Sequence, residues 1–370
     1  LELLKGNLEK IGEASSILSF QTSSSPSQKI ELSDGCQNHK EGIQKILEIF
    51  DQEKNNSGSA DLIVHRVVHG GTKYRHAALL DQEVKQFIRD MIPLARTHPP
   101  ASLACIEEIS EHFPEIPQSV VFDTSFHQTL PEYAWRYALP RKISDEYAIR
   151  RYGFHGISHQ SVVKQAASFL KTPVNKLNLI TIHLGNGASI SAINKGICVD
   201  TTMGMTPLEG LVMGTRPGDL DPGILMLLAR EGWNQEALET MLNQDSGMKG
   251  LCGTNDFREI LQNKEEGNEE AEMALELYCY RVRKTIGSFS TVIGPVDALV
   301  FTGGVGENVS WVRKRSVRGM EWMNIQLDPD MNDHAEAPCA IHSKDSQTKI
   351  LVLPSEEEWE MASQAAELIL

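Results

Sequence analysis

Apolar residues fall in short runs along most of the chain, divided by glycines and polar clusters. "LIVHRVVHGG" (62–71) predicts a buried strand running into a Gly-Gly turn, and "SVVFDTSFH" (119–127) a second buried strand ending in polar residues. "QTSSSPSQK" (21–29) and "DQEKNNSGSAD" (51–61) read as exposed connections, with helical spacing in "GIQKILEIF" between them. A further helix is expected over 81–95. "NLITIHLGNGASISAINKGICVD" (178–200) predicts strand, glycine turn, strand, turn and strand, an antiparallel meander. The loop over 201–223 is glycine-rich and too long for a plain connector. Helices are expected at 224–231, 234–244 and 268–290. "DALVFTGGVGEN" (297–308) reads as strand, glycine turn and helix. The last 22 residues read as a strand and a helix with Ser355 as its N-cap. This order predicts an α/β fold. Glycine turns behind buried strands, at 185–187 and 303–306, suggest a duplicated nucleotide-binding half.

Length and charge narrow the picture. A chain of 370 residues has room for two domains. The net charge of −15 argues against a nucleic-acid partner, and an anionic substrate would need local arginines to hold it. No apolar run reaches membrane-spanning length, so no membrane partner is expected. Six scattered cysteines without a CxxC pair point to reduced thiols and a cytoplasmic location.

Several residues could carry chemistry. No GxxxxGK[ST] motif exists, and "GGVGEN" lacks the third glycine of a dinucleotide fingerprint, but both glycine turns offer bare backbone to a phosphate. Arg66 interrupts an apolar strand, so it either makes an ion pair, with Asp123 or Asp61, or grips a carboxylate or phosphoryl group. Arg216 lies in the glycine-rich loop. Asp123 closes a strand, where it serves as a turn residue or in catalysis. His155 and His159 share the spacing of a zinc helix. However, Gly156 disfavours helix there and the required glutamate is missing. Ser158 is the expected N-cap, with His159 in the first turn as a structural residue and His155 in the preceding loop.

Seven motifs occur in order: "HRVVHGG", "VFDTSFHQTLP", "RRYGFHGISH", "HLGNGASI", "MGMTPLEGLVMGTRPGDLDPG", "GTNDFR" and "FTGGVGEN". Together they resemble the acetokinase family, whose members phosphorylate acetate, propionate or butyrate. The resemblance implies two RNase H-like domains of the actin, Hsp70 and sugar-kinase type around a nucleotide cleft. Residues 1–125 with 359–370 would form one domain and 126–358 the other. It also implies a homodimer that transfers the γ-phosphoryl group of ATP reversibly to acetate with Mg²⁺. Carried over by motif, Arg66 and Arg216 would bind the carboxylate, Asp123 would be the catalytic aspartate, and His155 would stabilise the transferring group. Val68, Thr97, Phe154 and Pro207 would line the acyl pocket, with His98 a second histidine at the substrate. His183, Gly185, Asn186 and Gly187 would meet the phosphates. Asp256, Phe257, Arg258, Gly304, Gly306, Glu307 and Asn308 would surround the nucleoside, and Glu357 would be linked to Mg²⁺.

The sequence departs from the family in two places. The family's first strand and its Asn-x-Gly-Ser-Ser-Ser turn have no counterpart, an expected shortfall on the order of twenty residues. Thr97 stands where the family usually has leucine, which puts a hydroxyl in the methyl pocket.

Overall fold

The structure, a computed structural model, describes residues 3–23, 25–57, 60–91 and 99–369. The chain divides into two compact units. Unit 1 takes residues up to Gly70, His76–Phe122 and those from Met361 on; unit 2 takes Gly71–Arg75 and Asp123–Glu360.

Unit 1 holds two three-stranded sheets. The first is antiparallel, β1 (Leu4–Glu9), β2 (Ser16–Thr22) and β3 (Ser25–Leu32). Only β2 alternates cleanly, burying Ser16, Leu18, Phe20 and Thr22. The stretch expected as a connection at 21–29 is therefore a hairpin. Its Ser, Gln and Lys side chains are compatible with an edge strand that faces solvent, and so the polar composition hid it. Likewise the helix expected to stop near 50 runs on, His39–Ser57.

The second sheet has the order β4 (Ile63–Val67), β6 (Gln118–Phe122), β5 (Ala78–Leu79), with β4 and β6 parallel. The central β6 is wholly buried at Val120, Val121 and Phe122. The helix Gln82–Asp90 presents Val84 and Ile88 to the core and sets Phe87 edge-on to Phe122 at 6.4 Å. Its N-cap is Asp81, which accepts the Val84 N–H at 2.8 Å. β4 itself is only half-buried and Arg66 is exposed on it. The expectation of an arginine inside a buried strand is thus corrected, because β4 lies at the side of its sheet.

Unit 2 is built on a six-stranded mixed sheet. Its order is β11 (Cys339–Ala340), β12 (Lys349–Val352), β10 (Ala298–Thr302), β7 (Leu179–Leu184), β8 (Ala188–Asn194), β9 (Ile197–Thr201). β12, β10 and β7 run parallel, and β7, β8 and β9 form the predicted antiparallel meander. The helices Gly156–Phe169 and Glu269–Ile293 pack on these strands. The second follows its expected bounds closely, capped by Asn268, which accepts the Ala271 N–H at 2.9 Å.

"GGVGEN" is not a turn leading into a helix but a short helix of its own, Gly303–Asn308. Gly303 has φ +78°, and a Cβ there would lie 2.7 Å from the Leu184 carbonyl oxygen. Glu307 folds back so that its Oε1 accepts the Gly303 N–H at 2.9 Å. Arg313, buried at 2% exposure, donates to the Gly306 and Glu307 carbonyls at 3.0 and 2.7 Å, and to Asn332 through Nε and Nη2. One guanidinium therefore satisfies the carbonyls that end this helix. Ser355 is not the N-cap of the last helix, which spans Glu357–Ala366 and follows Glu356 at φ +40°.

Arg313→Met keeps the apolar stem and removes the donors. It should lower the stability of the folded chain by about 2–3 kcal/mol in urea denaturation, since buried carbonyls lose their partners. An unchanged midpoint would show that these bonds do not hold the segment.

Candidate active site

Strand alternation puts Leu179, Thr181 and His183 of β7 on one face, paired across the ladder with Ile193, Ser191 and Ser189 of β8. The helix Gly156–Phe169 covers that face in two different ways. Its carboxyl half buries Val162, Val163, Ala166 and Ala167 against Leu179, Ile193, Val300 and Leu351. The polar side chains of its amino half meet hydroxyls and imidazoles. Ser158 Oγ lies 2.8 Å from His183 Nδ1, and His159 reaches Thr181 Oγ1 at 2.7 Å and Ser189 Oγ at 2.8 Å. Ser189 Oγ also lies 2.9 Å from His155 Nδ1. The His155 and His183 rings stack, with centroids 4.4 Å apart and planes 28° from parallel.

The helix begins one turn earlier than the sequence predicts. His155, left-handed at φ 56°, rather than Ser158 takes the N-cap position, and Gly156 opens the helix. A Cβ at Gly156 would sit 2.2 Å from the Asp123 carbonyl oxygen, which accepts the Gly156 N–H at 2.9 Å. The glycine read as a helix breaker is what lets the helix start against Asp123. His159 is structural, as expected: burial in this layer holds its pKa well below the usual histidine value.

Phe154 is buried, and His127 Nε2 donates to its carbonyl at 2.9 Å. His127 Nδ1 faces Cys198 Sγ at 3.3 Å. Burial pushes the His127 pKa down to about 4, although the bond to Phe154 works the other way.

The loop after β9 is tied down by side chains. Arg151 Nη1 donates to the carbonyls of Thr201, Thr202 and Met203, and its Nη2 meets Glu209 at 2.6 Å. Tyr137 hydrogen-bonds the other Glu209 oxygen, and its hydroxyl oxygen accepts the Met205 N–H. Arg216 Nη1 donates to the Pro207 carbonyl at 2.9 Å. A Cβ at Gly187 would lie 3.0 Å from both Arg216 Nη2 and His155 Nε2, so a backbone without Cβ separates these two groups. The Asn186 carbonyl accepts the Gly214 N–H, and its side chain accepts from Asn255 at 2.9 Å.

Unit 2 thus gathers Asp123, Phe154, His155, His183, Asn186, Gly187, Pro207 and Arg216 around the carboxyl end of β7. Gly185 lies in the same turn. Gly304, Gly306, Glu307 and Asn308 follow β10, the parallel neighbour of β7, with Gly304 exposed and the Glu307 carboxylate turned inward to Gly303. Phe257 is buried, edge-on to Tyr278 at 5.0 Å. Asp256 and Arg258 engage each other, Nη2 to Oδ2 at 2.6 Å, on the surface. Glu357 is half-buried at the start of its helix. No group of three potential metal ligands occurs among the described residues. Arg66 and Val68 belong to unit 1, and Thr97 and His98 lie outside the described residues. Sequence reasoning missed Arg151, Tyr137, Glu209 and Arg313. Their bonds go mostly to backbone, which leaves no spacing signature.

A family model described as the Acetokinase family matches residues 1–363. An acetate kinase of Sulfurovum sp. (strain NBC37-1) is 46% identical over 367 residues, 98% of this chain and 92% of its own. The crystal structure of Porphyromonas gingivalis acetate kinase matches with a TM-score of 0.91 at 38% identity, covering 100% of this chain and 94% of the other. A propionate kinase from Francisella tularensis subsp. tularensis SCHU S4 matches with a TM-score of 0.92 at 37% identity, covering 99% and 93%. At these scores the fold is that of the acetate and propionate kinases.

The His127 shift sets a pH window. Its folded pKa lies below the unfolded one, so its contribution is fully present above about pH 6.5 and is lost toward pH 4, at about 1.4 kcal/mol per unit. His127→Gln keeps a donor for Phe154 and should show a shallower loss of stability between pH 7 and 5 in urea titrations. Equal slopes in variant and wild type would remove His127 as the source.

Proposed function

The chain belongs to the acetokinase family, and on that premise we propose that it transfers the γ-phosphoryl group of ATP reversibly to acetate, giving acetyl phosphate and ADP. The observation that carries this reading is the meeting of Arg216 and His155 Nε2 at Gly187. Phosphoryl transfer asks for position and charge neutralisation more than for covalent chemistry. An acetate oxygen attacks the γ-phosphorus while the bond to the β-phosphate oxygen breaks. Acetate is already ionised at neutral pH, so no base is required, and Asp123 orients an arginine or a metal-bound water. Arg216 supplies a planar fork that suits either a carboxylate or a phosphoryl group. Burial lowers its pKa, yet arginine remains charged at neutral pH. In a chain of net charge −15, such a local cation is what holds two anions together.

By motif, Arg66 is assigned to the carboxylate as the second fork, and Val68, Thr97, His98, Phe154 and Pro207 are assigned to the acyl substrate. His183, Asn186 and the bare backbone of Gly185 and Gly187 take the phosphates. Gly304, Gly306 and Asn308 with Asp256 and Arg258 take the nucleoside. Mg²⁺ enters with ATP as part of the substrate. By motif, Glu357 is the carboxylate that would help hold it, since Mg²⁺ is commonly bound through one or two carboxylates together with substrate phosphates. The protein works as a homodimer. The helix Pro222–Arg230 supports this, since Ile224, Met226 and Leu227 are exposed beside Trp233. A cytoplasmic location is supported by six free thiols.

Trapping acyl phosphate as the hydroxamate, with acetate, propionate and butyrate in parallel, tests the reading. Acetate should give the highest kcat/KM, with propionate lower by about 10- to 200-fold, the range for one methylene in a pocket. Arg216→Gln should lower kcat/KM for acetate by about 10²–10³. Nucleotide binding without any acyl phosphate would overturn the proposal, and a higher kcat/KM for propionate would reassign the acceptor.

A further inference from the structure

The polar layer under the helix Gly156–Phe169 contains one unbroken chain of contacts. Thr181 Oγ1 meets His159 Nδ1 at 2.7 Å, His159 Nε2 meets Ser189 Oγ at 2.8 Å, and Ser189 Oγ meets His155 Nδ1 at 2.9 Å. Thr181, His159 and Ser189 are fully buried. We propose that these three residues form a directional hydroxyl–imidazole relay that fixes the tautomer of His155, with its proton on Nε2.

The direction follows from counting protons. Each hydroxyl and each neutral imidazole has one proton to give, and burial keeps His159 neutral. If Thr181 donates to His159 Nδ1, then His159 Nε2 carries the proton and donates to Ser189. Ser189 Oγ could accept twice, but its buried hydroxyl proton has no other acceptor among the described contacts, so it goes to His155 Nδ1 and leaves the His155 proton on Nε2. The reverse order would turn the Thr181 hydroxyl away from His159. Its other acceptor is the Ser191 carbonyl at 3.5 Å, beyond a good O–H···O bond. A buried hydroxyl would then lose its partner, so the first order is preferred.

The His155 ring is held in plane by the stacked His183, and its Nε2 faces the bare backbone of Gly187 beside Arg216. The relay therefore presents an N–H donor on that side. Thr181, Ser189 and His159 are positioning residues, since they act through His155. Only the significance of Nε2 as the nitrogen facing the phosphoryl group rests on the proposed function. The tautomer does not.

Long-range ¹H–¹⁵N spectra of the ¹⁵N-histidine-labelled full chain without substrate test this directly. His155 and His159 should both show a protonated Nε2 and an unprotonated Nδ1. Thr181→Val should spread His155 over both tautomers, whereas Thr181→Ser, which keeps the hydroxyl, should preserve the wild-type pattern. Equal populations would cost about twofold in kcat with the acetate KM unchanged, because only the competent fraction acts. A proton on Nδ1 of either ring in the wild type, or a His155 tautomer unmoved by Thr181→Val, overturns the relay. If Thr181→Val fails to fold, the wild-type spectrum decides alone. A wild type with the expected spectrum but no acyl-phosphate formation would sink the functional reading and leave the relay standing.

Discussion

Burying polar groups is tolerable only when each finds a partner, and unit 2 depends on meeting that condition along one helix. The helix Gly156–Phe169 lies on β7 and β8 with methyl groups at its carboxyl end and hydroxyls and imidazoles at its amino end. The apolar half supplies adhesion. The polar half supplies register, because Ser158, His159 and His155 meet Thr181, His183 and Ser189 only in one placement. The change from one to the other falls between Leu179 and Thr181 on the same strand face, so the site sits at the strand's carboxyl end by construction.

Irregular backbone around this layer is held by arginines used as carbonyl clamps. Arg151 gathers three successive carbonyls starting at the last residue of β9, and Arg313 closes the short helix after β10. Both solve the same problem, a chain that leaves regular structure while still largely buried. Their planar forks reach several acceptors at once, which a lysine could not do. Arg216 uses one nitrogen in the same way, on Pro207, and its Nη2 approaches His155 Nε2 across Gly187. A fork anchored at one side and open at the other is suited to gripping a small anion.

Much of this was readable from the sequence where hydrophobic period and glycine placement speak clearly. The meander over β7, β8 and β9 and the helix Glu269–Ile293 emerged at nearly their true bounds, because alternation and 3.6-residue spacing are strong there. The hairpin of β2 and β3 was missed because an exposed edge strand has the composition of a loop. Arg66 was read as buried because a half-exposed side strand can be as apolar as a central one. Ordered motifs pointed to His155, Arg216 and Asn186, but not to the Thr181–His159–Ser189 chain. Those residues come together through strand register and helix placement, which no local spacing encodes. Gly156 carried the signal in reverse, since glycine there serves a close backbone approach rather than a break.

The central claim is that the layer holds His155 where charge develops on a transferring phosphoryl group. It is tested most directly by the single-turnover rate of transfer from ATP and Mg²⁺ to saturating acetate in wild type and in His155→Gln, with nucleotide affinity measured alongside. The account predicts a transfer rate lower by about 10²–10³ at unchanged nucleotide affinity, as for loss of one preorganised donor. A variant that transfers at the wild-type rate would contradict it.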